Sequence, residues 1–164
     1  PGFRVSWIVG PKRVIESVAS AGSFLDGGGV APMQRAAIDL VQEEPTLAET
    51  KAVHHEFEKK RDFLVKGLED IGVRFDIEPQ GTFYAWGDLS GLPPSLRNSD
   101  DFFKAALDRQ VIAVPGHFFD VNPGKRRTGR PSRFVGHMRF SFGPPMPVLA
   151  EALDRIRDMV ATAG

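Results

Sequence analysis

Two arginines stand out in this 164-residue sequence because each lies among apolar residues. Arg4 falls within the run FRVSWIV, and Arg139 lies between Met138 and Phe140. A guanidinium in such surroundings needs a partner, since an unpaired buried charge is costly. Its planar fork of donors suits a phosphate or a carboxylate. Taken singly, either arginine is more commonly part of a structural ion pair, so this pattern alone leaves both interpretations open.

Other chemical motifs in the sequence are incomplete. His54, His55 and Glu56 are adjacent on a predicted helix and point in different directions, so we expect no metal site there. Residues 124–133 (GKRRTGRPSR) contain five basic residues. They could bind a phosphate-rich partner, but a solvated insertion between two strands explains them better. The Gly-Lys pair in this run lacks the upstream glycine of a phosphate-binding loop.

The composition excludes several classes of protein. Lys and Arg together number 21, as do Asp and Glu, so the formal net charge is zero. We therefore expect no nucleic-acid partner and no membrane-surface binding, both of which usually need a basic excess. No apolar run approaches the roughly 20 residues of a membrane helix. The absence of cysteine excludes disulfides and is compatible with the cytoplasm, where we expect the protein to be located.

The apolar spacing predicts the elements that must position the two arginines. Alternation and turn signals predict strands at 3–9, 73–77, 82–89, 111–114 and 134–142. A spacing of three to four residues predicts helices at 12–21, 33–43, 47–72, 100–109 and 147–161. Gly72 is the expected end of the longest helix, and Ser99 the expected N-cap of the helix that follows it. This order predicts an α/β fold in which helices cover a small sheet.

Four segments, in the same order, resemble class I/II pyridoxal-phosphate-dependent aminotransferases. The first, at residues 1–10 (PGFRVSWIVG), is similar to the family's Gly-x-Arg-x-Gly-Trp pattern, with Ser6 in place of a glycine. The others resemble its Gly-Gly-Phe-Tyr-x-Trp, Pro-Gly-x-x-Phe and Arg-x-x-Phe patterns, and they are GTFYAW at 81–86, VPGHFF at 114–119 and MRFSF at 138–142. Each match is weak alone, but together they cover the whole chain.

The resemblance implies a fold-type-I protein. Residues 1–45 would be the C-terminal strip of the large cofactor-binding domain. Residues 46–164 would be the small C-terminal domain, with a long connecting helix at its start. It also implies pyridoxal phosphate as cofactor, an amino acid and a 2-oxo acid as substrates, and a homodimer, with the loop Gly27 to Pro32 near the dimer interface.

The family's functional residues can be carried over at two positions. Arg4 matches the arginine that binds the cofactor phosphate. Arg139 matches the arginine that binds the α-carboxylate of the substrate, and Phe118 is expected to pack near it. No metal ligand is implied.

The lysine that forms the Schiff base in this family precedes the arginine matched by Arg4, so its position lies upstream of residue 1. None of the seven lysines has Ser or Thr three positions earlier, as the family's Ser-x-x-Lys pattern requires. The chain begins with Pro1-Gly2 rather than methionine, and we expect it to be part of a longer protein. This chain alone is therefore predicted to be inactive.

Two alternatives to an aminotransferase remain open. A lyase or synthase of the same fold would share both arginines and differ in its products. A non-catalytic interaction domain would also explain the missing lysine. The sequence does not identify the substrate amino acid.

Overall fold

The computed structural model describes residues 2–121 and 129–163. The chain divides into two compact units, Pro1–Val53 and His54–Gly164. The boundary between them falls within the longest helix, α3 (Glu43–Glu69). No helix in the described ranges combines the length and the apolar character that crossing a membrane requires.

The first unit contains helices α1 (Lys12–Asp26) and α2 (Ala31–Ala37) and the beginning of α3. Helix α1 ends at Gly27, whose φ of 70° is left-handed, a conformation that glycine adopts without steric cost. The predicted helix at 12–21 is confirmed and continues to Asp26. None of residues 2–53 is buried. This unit therefore has no hydrophobic core of its own.

The strand predicted at 3–9 is wrong. Residues 4–10 are irregular, and Arg4 has a left-handed φ of 55°, which interrupts an extended chain. A strand exists only where a neighbouring strand completes its hydrogen bonds, and no described strand pairs with this segment. Its apolar side chains are also exposed, Phe3 by 75% and Trp7 by 76%.

The second unit is built on a three-stranded antiparallel sheet. Its strands are β1 (Tyr84–Asp88), β2 (Val114–Pro115) and β3 (His137–Ser141), with β3 in the centre. Because side chains alternate along a strand, Met138 and Phe140 are buried in the core while Arg139 points to the opposite face. This alternation confirms the predicted strand at 134–142 in a shorter form.

Helices cover the core face of the sheet. They are the C-terminal half of α3, α4 (Ser99–Asp108) and α5 (Met146–Thr162), with a core that includes Leu64, Leu68, Phe102, Ala106, Leu149, Leu153, Ile156 and Met159. A Cβ on Gly67 would lie 2.6 Å from Leu153 Cδ1, so α3 and α5 pack more closely than a side chain would permit. The unit is therefore the predicted α/β arrangement of a small sheet covered by helices.

Several predicted boundaries need correction. The segment at 73–77 is not a strand, because only Arg74 pairs with Asp88 before the chain bends at residues 76–77. The N-cap of α4 is Asn98, whose side chain accepts a hydrogen bond from the Asp100 amide, and not Ser99. Pro45 lies in the first turn of α3, where its missing N–H costs nothing.

Replacing Phe102 with alanine should destabilise the second unit by about 3–5 kcal/mol, because it removes a buried ring and leaves a cavity. The Phe102 side chain is completely buried and meets Phe140 edge to face, with ring centroids 5.9 Å apart. Chemical denaturation followed by circular dichroism measures the loss. Phe118→Ala is the matched control, since Phe118 is 71% exposed. Equal stability losses in the two variants would contradict this description of the core.

Candidate functional site

The Arg139 guanidinium lies between two aromatic rings on the face of the sheet opposite the core. Its central carbon is 4.0 Å from the centroid of the Tyr84 ring and 4.6 Å from that of Phe119. A cation over the face of a ring is attracted by the ring's electron density. The two rings therefore hold the planar group in one orientation and leave its edge for hydrogen bonding.

Arg139 has no anionic partner among the residues that the structure describes. Its Nε is buried and has no hydrogen-bond acceptor there. The structural ion pair considered from the sequence is therefore not formed within the described ranges. A buried donor without an acceptor is costly, and the two terminal nitrogens of the guanidinium, which are not among the buried unpaired atoms, can donate to a carboxylate as a bidentate pair. The donor set thus fits the carboxylate of a small ligand.

Trp86 is the centre of the aromatic cluster beside this guanidinium. It lies directly opposite Arg139 in the β1–β3 register. Its ring meets those of Phe119 and Phe134 edge to face, with centroids 5.6 and 5.3 Å away, and stacks on His137 at 5.7 Å. The cluster fills the sheet face around Arg139 with rigid side chains.

The ring over Arg139 belongs to Phe119, not to the expected Phe118. The Phe118 side chain is 71% exposed and lies against His117, with ring centroids 4.4 Å apart. Tyr84 and Trp86 were not among the site residues predicted from the sequence. The signal for these two was present, because alternation along β1 places both on the face that carries Arg139.

Gly116 fixes the short 3-10 turn, Gly116–Phe119, that carries the Phe119 ring. A Cβ at this position would lie 2.5 Å from the carbonyl oxygen of Phe134 and 2.7 Å from that of His137. Since neither backbone can give way easily, only glycine fits. This close approach seats the turn directly against the start of β3.

Asp88 is a charged group on the same face, opposite His137 in the register. Its carboxylate accepts hydrogen bonds from the Ser90 amide at 2.9 Å and the Ser90 hydroxyl at 2.8 Å. Burial by itself raises the pKa of Asp88, but the Ser90 hydrogen bonds and the nearby His137 and Arg74 outweigh it and hold the pKa below its ordinary value.

The lowered pKa predicts that Asp88 stabilises the fold in a pH-dependent way. The contribution is complete above the ordinary carboxyl pKa of about 3.9. It is lost as the pH falls below that value and through the lower folded pKa, because the unfolded chain takes up the proton first. The Asp88→Asn variant should therefore be less stable than the unmodified protein at neutral pH. On acidification it should lose less of its free energy of unfolding. Denaturation at a series of pH values measures this. If the stability of the variant fell as steeply with acid as that of the unmodified protein, the prediction would be contradicted.

The other candidates from the sequence are Arg4 and the basic run at 124–133. Arg4 is an exposed residue of the first unit, so its apolar neighbours in sequence do not enclose it. Of the basic run at 124–133, residues 124–128 lie outside the described residues. In the remainder, Ser132 donates a hydrogen bond to Asp120 at 2.7 Å, and the Arg133 guanidinium lies 4.9 Å from the Phe134 ring centroid.

The chain belongs to the class I and II aminotransferases, because the model of that family matches residues 1–156. It is 27% identical to the aspartate aminotransferase of Pyrococcus horikoshii over 157 residues, which is 94% of this chain and 36% of the relative. It is 29% identical to the LL-diaminopimelate aminotransferase of Moorella thermoacetica over 158 residues, 95% of this chain and 36% of that protein. The chain thus spans little more than a third of these relatives.

Solved structures agree with this assignment. The aspartate aminotransferase from Thermus thermophilus with maleate superposes with a TM-score of 0.74 at 26% identity, covering 96% of this chain and 37% of that one. The N-succinyldiaminopimelate aminotransferase from Mycobacterium tuberculosis gives a TM-score of 0.73 at 26% identity, covering 96% of this chain and 38% of that one. The small antiparallel sheet and its helices are therefore part of the fold-type-I aminotransferase fold.

Proposed function

We propose that the protein is a pyridoxal-phosphate-dependent aminotransferase that transfers an amino group between an amino acid and a 2-oxo acid. The observation that carries this proposal is the Arg139 guanidinium, which two rings orient and which has no acceptor at Nε among the described residues. Both substrates of such a reaction carry an α-carboxylate. Membership of the family supplies the reaction class.

Arg139 would bind that α-carboxylate through two parallel hydrogen bonds. A bidentate pair fixes the direction of the carboxylate as well as its position. It therefore orients the bond between Cα and its hydrogen for cleavage, and positioning of this kind contributes a large part of enzymatic rate enhancement. Tyr84 and Phe119 would keep the guanidinium plane from rotating between one substrate and the next.

Arg4 would bind the phosphate of the cofactor. A phosphate needs a fixed cation with several donors, which a guanidinium provides. Arg4 is exposed, which is compatible with contact to a ligand. With this role, residues 1–45 would belong to the large cofactor-binding domain and residues 46–164 to the small domain.

The bound cofactor would supply an electron sink for the charge that develops at Cα. This chain would contribute two anion-binding arginines but not the lysine that holds the cofactor covalently. None of its lysines follows Ser or Thr at the family's spacing. We therefore propose that the activity belongs to a longer polypeptide and that the 164-residue chain alone is inactive.

The substrate would be an amino acid whose side chain is recognised outside the Arg139 cluster. The relatives include an aspartate aminotransferase and an LL-diaminopimelate aminotransferase, whose names give different amino acids as substrates. We propose a cytoplasmic homodimer, in which the loop Gly27 to Pro32 lies near the dimer interface.

Product analysis with the full-length protein tests the proposal. The protein is incubated with pyridoxal phosphate, a panel of amino acids and 2-oxoglutarate, and the products are separated by chromatography. Formation of glutamate together with the matching 2-oxo acid is expected. Ammonia and pyruvate formed without any added oxo acid would indicate a lyase of the same fold. Absence of both reactions would favour a non-catalytic interaction domain.

A further inference from the structure

We propose that Trp86 is a positioning residue that holds the Phe119 ring over the Arg139 guanidinium. The contacts around Trp86 are independent of the proposed function, but their effect on substrate binding rests on it. Trp86 does not lie over the guanidinium itself; the rings that do are those of Tyr84 and Phe119. Its action on ligand binding therefore passes through Phe119.

Phe119 depends on packing for the position of its side chain. It is the last residue of the four-residue 3-10 turn Gly116–Phe119, and such short turns have poorer hydrogen-bond geometry than α-helices. Next to the turn, the Asp120 amide donates a hydrogen bond to the His117 carbonyl at 3.1 Å, and the Val121 amide donates one to the Phe119 carbonyl at 3.1 Å. The edge-to-face contact with Trp86, at 5.6 Å and 81°, is the ring contact that fixes the side chain.

Trp86 is itself held in place by its neighbours, so it can restrict the position of the Phe119 ring. Its backbone belongs to β1, directly opposite Arg139 on β3. Its ring stacks on His137 and meets the Phe134 ring nearly perpendicularly at 85°. Edge-to-face aromatic pairs add to stability beyond the area that they bury. Trp86 is thus held by strand pairing and by two neighbouring rings, and the Phe119 ring packs against it.

The same geometry explains why a smaller residue would not serve at position 86. Phe119 and Phe134 both contact the indole, so truncation of this side chain would leave space on both sides of the ring. The Phe119 ring would then move into that space and away from the guanidinium. Phenylalanine at position 86 keeps one aromatic ring, and part of the contact would remain.

A double-mutant cycle on the intact protein tests the proposal. The variants are Trp86→Ala, Phe119→Ala and the pair together, with Trp86→Phe as the conservative variant and Phe118→Ala as the control. The first readout is the NMR resonance of the Arg139 Nε–H group, assigned by its loss in Arg139→Lys. Rings stacked on the guanidinium shift this signal, so it reports the position of Phe119 without any ligand.

We expect Trp86→Ala to reproduce most of the signal change seen in Phe119→Ala and to add little in the double variant, because coupled residues are not additive. Trp86→Phe should restore part of the shift, and Phe118→Ala should leave it unchanged. An Arg139 signal that does not move in Trp86→Ala, or changes that add fully in the double variant, would overturn the proposal.

The second readout is the dissociation constant of maleate, a small dicarboxylate, measured by the change in absorption of the bound cofactor. Loss of a cation–π contact should weaken binding by about three- to tenfold in each single variant and by no more in the double. If the NMR coupling is present but maleate affinity is unchanged even in Arg139→Ala, the positioning of Phe119 stands and the carboxylate-binding role of Arg139 fails. The two failures are thereby distinguished.

Discussion

Replacement of Arg139 by alanine is expected to lower kcat/KM for the amino acid substrate by about 30- to several thousand-fold in the full-length protein. This range corresponds to the roughly 2–5 kcal/mol lost when one partner of a desolvated, hydrogen-bonded charge pair is removed. The loss should be large because the guanidinium is half-buried between Tyr84 and Phe119, where the surroundings have a low dielectric constant. Steady-state kinetics with saturating 2-oxo acid provides the measurement.

Two further variants test whether the planar donor geometry of Arg139 or its positive charge alone accounts for the expected loss of kcat/KM. Arg139→Lys keeps the charge but loses the planar fork and its stacking on the rings, so we expect it to recover only a small part of the activity. Arg157→Ala is the control, because Arg157 is half exposed on α5 and pairs with Asp154 at 2.6 Å. Full activity in Arg139→Lys would contradict bidentate binding, and full activity in Arg139→Ala would remove the proposed role altogether.

The 164-residue chain, purified by itself, is expected to show no transamination. The lysine of this enzyme family supplies both the covalent link to the cofactor and the base that moves the proton, and no lysine of this chain lies in the corresponding motif. The test combines the chain with pyridoxal phosphate, an amino acid and 2-oxoglutarate, followed by chromatography of the products. Borohydride treatment and peptide mapping then show whether the cofactor has become attached at one particular lysine.

The full-length protein assayed in parallel is the control for this second prediction. Lys60 is the lysine most worth testing within the chain, since its side chain is only 11% exposed and pairs with Glu56 at 3.5 Å. Transamination by the isolated chain that is abolished in Lys60→Arg would show that a lysine inside the sequence performs the chemistry. The proposal that the lysine binding the cofactor lies outside this chain would then be wrong.

Four elements of the second unit, β1, β3, α4 and α5, could be predicted because their patterns are local. The alternation in β1 and β3 and the spacing in α4 and α5 each indicate one buried face. Met138 and Phe140 on one side of β3 already implied that Arg139 points the other way. The fold class followed from the order of these elements.

The errors arise where tertiary contacts override the local pattern. Residues 3–9 have the composition of a strand, but no described strand pairs with them. In the motif VPGHFF the pattern Pro-Gly-x-x-Phe already selects Phe119 rather than Phe118, and the 3-10 turn places Phe119 over Arg139 while Phe118 faces solvent. The partners of the guanidinium come from β1 and from this turn, which are distant in sequence. A single sequence does not contain that information.

The two rings beside Arg139 affect how strongly salt screens the charge of its guanidinium. Exposed charges are screened by salt over a Debye length of about 8 Å under physiological conditions. A guanidinium enclosed between two rings has few dissolved ions near its faces, so its attraction for a carboxylate is screened much less than that of an exposed arginine. If Arg139 binds a carboxylate as proposed, its affinity should therefore change little with the salt concentration of the surroundings.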